Sequence, residues 1–131
     1  MTMSGADRSF FRYQDNGGRD PVGEFLMEQI NKGEQARITA RIEFVESHGV
    51  SQSRRFVENL GKGLYVLKLH SKQNNPRVFM CNHPSVRGRF VMLHAYPKKT
   101  NKIPAAEADT ARKRQKEVQD NPSKHIVEGH L

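Results

Sequence analysis

Apolar residues recur along the first half of the chain with helical spacing. The turn signal Asp15–Gly18 is followed by Asp20 and Pro21, a pair typical of a helix N-cap and a first helical position. Helical periodicity runs from there to about residue 30 and resumes over Glu34–Ser47, after which Gly49 is a helix stop. The pattern predicts two helices joined by a tight turn, which is an αα-hairpin.

The second half of the chain instead shows short apolar runs with the two-residue alternation of β-strands. Three successive strands are predicted there, at Leu64–His70, Arg77–Cys81 and Arg89–Tyr96. A short strand around Phe10–Tyr13 precedes the helices, and a helix from about Pro104 to Val118 follows the last strand. Residues 50–62 are polar and predicted to be irregular, and residues 119–131 are predicted to be a flexible tail.

This order of elements, β-α-α-β-β-β-α, predicts an α+β fold in which helices cover one face of a small antiparallel sheet. We expect a single domain over residues 1–131, with its core over about residues 8–118. Strict alternation in the last strand predicts two faces: a core face of Val91, Leu93 and Ala95, and a second face of Phe90, Met92, His94 and Tyr96.

Positive charge is concentrated in the second half of the chain. The net charge is +8, but residues 1–59 contain 8 Lys and Arg against 9 Asp and Glu, whereas residues 60–131 contain 14 against 5. This asymmetry indicates a surface that binds nucleic acid or an acidic protein, the alternative being a basic surface that serves only solubility. The single cysteine, Cys81, excludes an intramolecular disulfide, and no apolar run approaches the roughly 20 residues of a membrane span. We therefore expect a cytoplasmic protein with no membrane partner.

The segment His94–Pro104 places an imidazole, a phenol and three ammonium groups at the end of a predicted strand. Such groups bind phosphate, stack on bases and transfer protons, so the segment predicts RNA binding and possible RNA cleavage. Two further cations lie within neighbouring strands, where a cation must reach water or an anion. The candidate catalytic residues are Lys68, Arg77, His94, Tyr96, Lys98 and Lys99.

Each of these residues also has an interpretation without catalysis. Lys68 is equally typical of an exposed strand face, and Arg77 of a surface ion pair. His94 is more often a structural histidine, and Tyr96 an aromatic residue at the rim of a site. Lys98 and Lys99, like Lys102, are also typical of charge in a solvated loop.

Six further basic residues of the second half are candidates for contacts with the RNA backbone. They are Arg89, Lys102, Arg112, Lys113, Arg114 and Lys116. Cys81 and the scattered histidines match no zinc-site spacing, and no acidic cluster indicates a Mg²⁺ site. We therefore expect neither a metal nor any other cofactor.

Five segments resemble the phage-derived, HigB-like branch of the RelE/ParE toxin superfamily. They are Asp20–Leu26, Gly63–Lys68, Arg77–Phe79, Leu93–Pro104 and Ala108–Arg114. The resemblance covers about residues 8–118, and the predicted strand order and helical hairpin agree with that fold. Where the related motif reads glycine-leucine-aromatic-glutamate-leucine-arginine, this chain has Val66 and Lys68 in place of the glutamate and the arginine. Lysine retains the charge but not the bidentate geometry of a guanidinium.

The resemblance implies the toxin of a type II toxin–antitoxin system. Similar proteins cut mRNA in the ribosomal A site and are paired with a helix-turn-helix, HigA-like antitoxin. The implied function is a ribosome-dependent, metal-independent mRNA endonuclease whose partners are the antitoxin, the ribosome and mRNA. Two other functions stay open: a non-catalytic inhibitor that binds the ribosome or RNA, and a gyrase-directed toxin on the same fold.

In such a cleavage the RNA supplies its own 2′-hydroxyl as nucleophile, and the protein orients the strand and moves protons. Arg77 and Lys68 are expected to offset the phosphate charge. Tyr96 is expected to stack on a base or to orient the 2′-hydroxyl. Proton transfer is left open among three residues, His94, Lys98 and Lys99.

Overall fold

The computed structural model describes residues 9–130, which form a six-stranded sheet with four helices. The strands are β1 (Phe10–Tyr13), β2 (Val57–Gly61), β3 (Leu64–Lys68), β4 (Pro76–Asn82), β5 (Phe90–Pro97) and β6 (Ile126–Gly129). The helices are α1 (Pro21–Glu28), α2 (Lys32–His48), α3 (Ala105–Asp120) and α4 (Pro122–His125). The predicted α+β class, with its helical hairpin and later helix, is confirmed. Both ends of the predicted domain, residues 1–8 and residue 131, lie outside the described residues.

The sheet has the order β2-β3-β4-β5-β1-β6. The predicted antiparallel meander is present as β3, β4 and β5, with Arg77 opposite both Lys68 and Tyr96. In contrast, β1 runs parallel to β5, and β6 runs antiparallel to β1. The first strand of the chain therefore lies inside the sheet, and all four of its residues are buried.

Local capping signals set the limits of the helical hairpin. Asp20 caps α1 by accepting a hydrogen bond from the Gly23 backbone at 3.0 Å, with Pro21 at the first helical position. Asn31 caps α2 in a capping box, in which Asn31 and Glu34 each accept from the other's backbone nitrogen. Gly49 ends α2 with φ of 87°, a conformation that glycine adopts without a Cβ clash.

Helices cover both faces of the sheet, so the prediction of helices on one face was wrong. One face packs against α1 and α2 through residues such as Leu26 and Ile42, and the other against α3 through Ala111 and Val118. The cause lies in the central strands, because β4 is buried at every position from Pro76 to Cys81. A strand that is apolar on both sides requires cover on both faces.

A β-bulge in β5 overturns the predicted faces of that strand. Phe79 lies opposite His94, but the next residue, Met80, lies opposite Met92, so Leu93 is an additional residue in β5. The insertion shifts the alternation by one position from there on. The two faces consist of Phe90, Met92 and Ala95 toward α1 and α2, and of Val91, Leu93, His94 and Tyr96 toward α3.

Residues 50–62, predicted to be irregular, contain a 3₁₀ turn at Val50–Gln52 and the edge strand β2. The chain reverses through Gly61, Lys62 and Gly63, all three with positive φ, and this turn pairs β2 with β3. Only Val57 of β2 is fully buried. The apolar alternation of this edge strand was therefore too weak to predict it.

The segment predicted to be a flexible tail is ordered over residues 119–130. Pro122 begins α4, and β6 then pairs with β1, with Tyr13 opposite Ile126. This pairing satisfies the backbone groups on the side of β1 that faces away from β5, which explains why this short segment forms a strand. Within residues 9–130, no helix combines the length and the apolar character needed to cross a membrane.

Candidate functional site

A cleft of about 380 Å³ opens between the β2–β3 hairpin and the segment that joins β5 to α3. Its lining residues are Glu58, Leu60, Lys68, Arg77, Lys98, Asn101, Lys102 and Ile103. Four of these described residues are cations and one, Glu58, is a carboxylate. The cleft is therefore an electropositive concavity, suited to a phosphate group.

Lys68 reaches the cleft from the end of β3, where its ammonium lies 2.8 Å from the Glu58 carboxylate. Both side chains are partly exposed, at 29% and 45%, so the pair contributes little to stability. Glu58 itself projects from β2 directly opposite Val66. The β2–β3 hairpin thus brings a carboxylate and an ammonium together at one wall of the cleft.

Arg77 borders the cleft from β4 and is only 2% exposed. Its Nη1 lies 3.1–3.4 Å from the backbone oxygens of Leu69, Asn75 and Pro76, and 3.3 Å from the Asn75 side-chain oxygen. Its Nε is buried and has no hydrogen-bond partner within residues 9–130, and no described carboxylate pairs with it. Burial lowers the pKa of the Arg77 guanidinium, although Tyr96 and Glu58 oppose this effect.

Tyr96 lies beside Arg77 on β5, and its ring stacks on Phe79 and His94 at centroid distances of 6.0 and 6.2 Å. Because Tyr96 is only 7% exposed, its ring is not available to stack on a base, so that part of the prediction was wrong. Its hydroxyl is buried without a hydrogen-bond partner among the described residues. Burial raises the pKa of Tyr96, so the hydroxyl stays protonated and can donate a hydrogen bond.

His94 is held by two residues of α3. Arg114 donates to its Nδ1 at 3.2 Å, so Nδ1 accepts and the ring proton is on Nε2, which contacts the Glu107 carboxylate. Burial and Arg114 both lower the pKa of His94, while Glu107 opposes them. With both ring nitrogens engaged, His94 is arranged to orient its neighbours rather than to transfer a proton to RNA.

The other predicted lysines lie in two places, the segment between β5 and α3 and the helix α3 itself. Lys98 and Lys102 line the cleft, and Lys99 is exposed on the same segment without lining it. On α3, Lys113 is exposed and Lys116 pairs with Asp120 at 2.6 Å.

The predicted RNA-contacting arginines mainly serve the fold. Arg112 donates to the Leu60 and Gly61 carbonyls at 3.0 Å, which docks α3 onto the β2–β3 turn. Arg114 donates to the Leu93 carbonyl, next to the bulge in β5. Arg89 pairs with Glu46 at 3.0 Å at the opposite end of β5, away from the cleft.

Three polar residues of this region were missed from the sequence: Glu58, Asn101 and Glu107. Glu58 was assigned to an irregular segment, so its pairing with β3 was not visible. Glu107 lies in the first turn of α3, where a carboxylate is favoured by the helix dipole, and that signal alone does not indicate a histidine partner. If β2 had been predicted as a strand paired with β3, Glu58 would have been expected near Lys68.

No three His, Cys, Asp or Glu side chains converge into a possible metal site within residues 9–130. Cys81 is buried in the sheet beneath α3, and burial raises the pKa of its thiol to about 12. A thiol with that pKa is a poor nucleophile at neutral pH.

Comparison with protein families gives a match over most of the chain. The sequence model of the family described as "Phage derived protein Gp49-like (DUF891)" matches residues 26–116. A search of curated proteins finds none with significant similarity. The matched residues contain every side chain that lines the cleft.

Proposed function

Because the chain belongs to the Gp49-like family of phage-derived proteins, a RelE/ParE-like toxin family, we propose that it is a HigB-like toxin that cleaves mRNA on the ribosome. The family is associated with the toxins of toxin–antitoxin systems. The observation that carries the proposal is the cleft, where Lys68, Arg77, Lys98 and Lys102 meet. A cavity of this charge fits the phosphate of an RNA backbone.

The proposed reaction is an internal transfer at phosphorus. The ribose 2′-oxygen forms a bond to the adjacent phosphorus, the bond from phosphorus to the 5′-oxygen breaks, and a cyclic phosphate remains. One proton leaves the 2′-hydroxyl and one is delivered to the departing 5′-oxygen. No oxidant, reductant or further reactant is needed.

Each cleft residue has a distinct part in this proposal. Glu58 accepts the proton of the 2′-hydroxyl, because a carboxylate can act as a general base and Glu58 is the carboxylate that lines the cleft. Lys98 delivers a proton to the 5′-oxygen, and Arg77 offsets the charge that grows on the phosphorane. Tyr96, which lies opposite Arg77, positions the Arg77 side chain and does not itself contact the RNA in this proposal.

The proposed partner is an antitoxin of the helix-turn-helix, HigA-like type. In this proposal the antitoxin blocks the toxin by binding to it. The electropositive cleft favours an acidic antitoxin segment, because the same four cations attract carboxylates as well as phosphate. The ribosome and mRNA are the remaining proposed partners, which makes the cytoplasm the site of action.

A second candidate function is inhibition by binding without cleavage. It is favoured by the burial of the Arg77 guanidinium and the Tyr96 hydroxyl, which leaves mainly lysines at the surface of the cleft. Lysines at a cleft surface are sufficient to hold a phosphate backbone without catalysing its cleavage.

The test is primer extension on a reporter mRNA in a purified translation system. We expect ribosome-dependent cuts within the reading frame that are lost in Glu58→Gln and reduced about tenfold in Lys98→Ala. Arg87→Gln, an exposed basic residue in the β4–β5 loop, is the matched control and is expected to cut normally. Blocked translation without cuts would instead support the binding inhibitor, and DNA damage with normal translation would support a gyrase-directed toxin.

A further inference from the structure

A second cationic and aromatic cavity lies on the opposite face of the sheet from the cleft. We call it the α2 pocket; it has a volume of about 600 Å³ and is lined by Arg41, Phe44, Gln52, Arg55, Phe56 and His70. None of these described lining residues is a carboxylate. The α2 pocket is therefore larger than the cleft and electropositive as well.

Aromatic rings form one wall of the α2 pocket. Phe44 is 38% exposed, although large apolar side chains of a folded domain are usually covered. It contacts Phe56 edge-to-face, with ring centroids 5.7 Å apart, and stacks on His48 at 4.2 Å. The Arg41 guanidinium lies over the Phe56 ring, 5.0 Å from its centroid. Exposed rings beside arginines are the features with which proteins bind single-stranded nucleic acid.

Two lining residues, Arg41 and Phe44, belong to a stripe along one side of α2. Its members, spaced four, three and four residues apart, are Arg37, Arg41, Phe44 and His48. Of the three carboxylates of α2, Glu34 accepts hydrogen bonds from Ser71 and Asn74, Glu46 accepts from Arg89, and Glu43 does not line the α2 pocket. The charge balance of residues 1–59 therefore conceals a locally basic surface.

The α2 pocket and the cleft meet around the end of β3. Arg41 donates to the backbone carbonyl of Lys68, whose ammonium lines the cleft. His70 lines the α2 pocket two residues later. Burial lowers the pKa of His70, and the positive charges of Arg77, Arg41, Lys68 and Lys98 lower it further. One positive field thus extends from the cleft to the α2 pocket.

We propose that the α2 pocket is a base-stacking subsite for the single-stranded RNA that continues from the cleft around the end of β3. A base stacks on Phe44, and Arg55 and Arg41 hold the adjoining phosphates. The lining holds two arginines and no carboxylate, which favours a polyanion, and the exposed Phe44 ring beside them favours a base, so RNA is the occupant that fits both features. The inference rests on the proposed function, because it concerns the same RNA strand.

The test is equilibrium binding of 2′-O-methyl RNA, which lacks the nucleophile for cleavage and so separates binding from catalysis. Labelled oligonucleotides of about 3 and about 12 nucleotides distinguish occupation of one site from occupation of both. We expect Phe44→Ala and Arg55→Gln each to weaken binding of the longer oligonucleotide about tenfold, and binding of the shorter one far less. Phe44→Tyr keeps the ring and is expected to restore binding. Arg55→Gln is expected to reduce the salt dependence, with a slope smaller by about 0.7.

Matched controls are available in the β4–β5 loop: Val86→Ala, at an apolar residue that is 40% exposed, and Arg87→Gln. Thermal melts of all variants separate loss of binding from loss of folding. An unchanged affinity of Phe44→Ala and Arg55→Gln for the longer RNA would overturn the inference, as would an equal loss for both lengths. If Lys98→Ala were the only variant to weaken binding, the α2 pocket would not be an RNA subsite, and the cleft alone would account for RNA binding. Failure of the parent protein to bind the longer RNA would overturn the inference, whereas the proposed function would be overturned only by the absence of cuts in the translation system.

Discussion

Arg12 and Arg77 are both buried arginines of the sheet, but their surroundings differ. Arg12 is 6% exposed, and its Nε donates to the Asp20 carboxylate at 2.7 Å. Its Nη1 donates to the carbonyl of Gly129, so one guanidinium joins β1, α1 and β6. Arg77 is 2% exposed, and its partners among residues 9–130 are carbonyl oxygens alone.

Arg12 has its counter-ion within the protein and stabilises the fold, whereas the surroundings of Arg77 leave room for an external anion. A buried cation without a counter-ion lowers the free energy of unfolding, and carbonyl oxygens only partly replace water. Arg12 meets this requirement with Asp20, whereas Arg77 borders a cleft that holds three lysines. An external phosphate is the anion that would complete its surroundings.

The largest expected effect is on catalysis by the Arg77→Met variant. We expect the rate of ribosome-dependent cleavage to fall by about 10²- to 10³-fold, because a preorganised donor to the phosphorane is removed. The melting temperature should stay the same or rise, since no ion pair is broken. Single-turnover cleavage and thermal melts measure the two quantities. A variant that melts far below the parent would show that Arg77 serves the fold, as Arg12 does.

Arg12→Met should have the opposite effect: it should lower stability and leave the cleavage rate unchanged. Its removal leaves the partly exposed Asp20 carboxylate without a cation, and we expect the free energy of unfolding to fall by about 2 kcal/mol. Urea denaturation measures the change, and cleavage per folded molecule should be retained. Asp20→Asn keeps the N-cap of α1 but breaks the same ion pair, so it should also lower the free energy of unfolding. Equal stability of Arg12→Met and the parent would contradict the comparison.

The same contrast applies to two buried tyrosines. The Tyr13 hydroxyl donates to Glu117 at 3.1 Å, whereas the Tyr96 hydroxyl has no partner among the described residues. We expect Tyr13→Phe to lower the free energy of unfolding by about 1 kcal/mol, and Tyr96→Phe to leave it unchanged or raise it. Both are read from urea denaturation curves. Equal losses would show that Tyr96 has a hydrogen bond in solution.

The smallest expected effect concerns His94 and pH. Its pKa is lowered in the folded state by burial and by Arg114, so the unfolded chain binds more protons at that residue below the ordinary histidine pKa. Stability should therefore fall as pH drops from about 6.5 toward the folded pKa. His94→Gln should weaken this dependence. An NMR titration of His94 that gave a pKa at or above the ordinary value would contradict this prediction.

The candidate site could be predicted only in part. Lys68 and Arg77 were chosen because a cation in a strand must reach water or an anion, and Lys98 and Lys102 because lysines are dense beside Tyr96; all four line the cleft. The catalytic roles of Lys68, Arg77 and Lys98 and the RNA-binding role of Lys102 stay predictions. His94 and Tyr96 were also chosen, but the prediction missed the stacking of both rings against Phe79. Such stacking joins residues of two strands, so it cannot be predicted from the sequence pattern of one strand.

The sequence by itself determined the helical hairpin and the three-strand meander. Asp20, Asn31 and Gly49 act through hydrogen bonds and backbone conformations within a few residues, so their effect is readable along the chain. Only the tertiary structure decided the bulge at Leu93, the parallel pairing of β1 and the pairing of β6. These features depend on backbone groups that are distant in sequence and must find partners. The position of Glu58 beside Lys68 depends on the same long-range pairing, because the register between strands sets which side chains share a face.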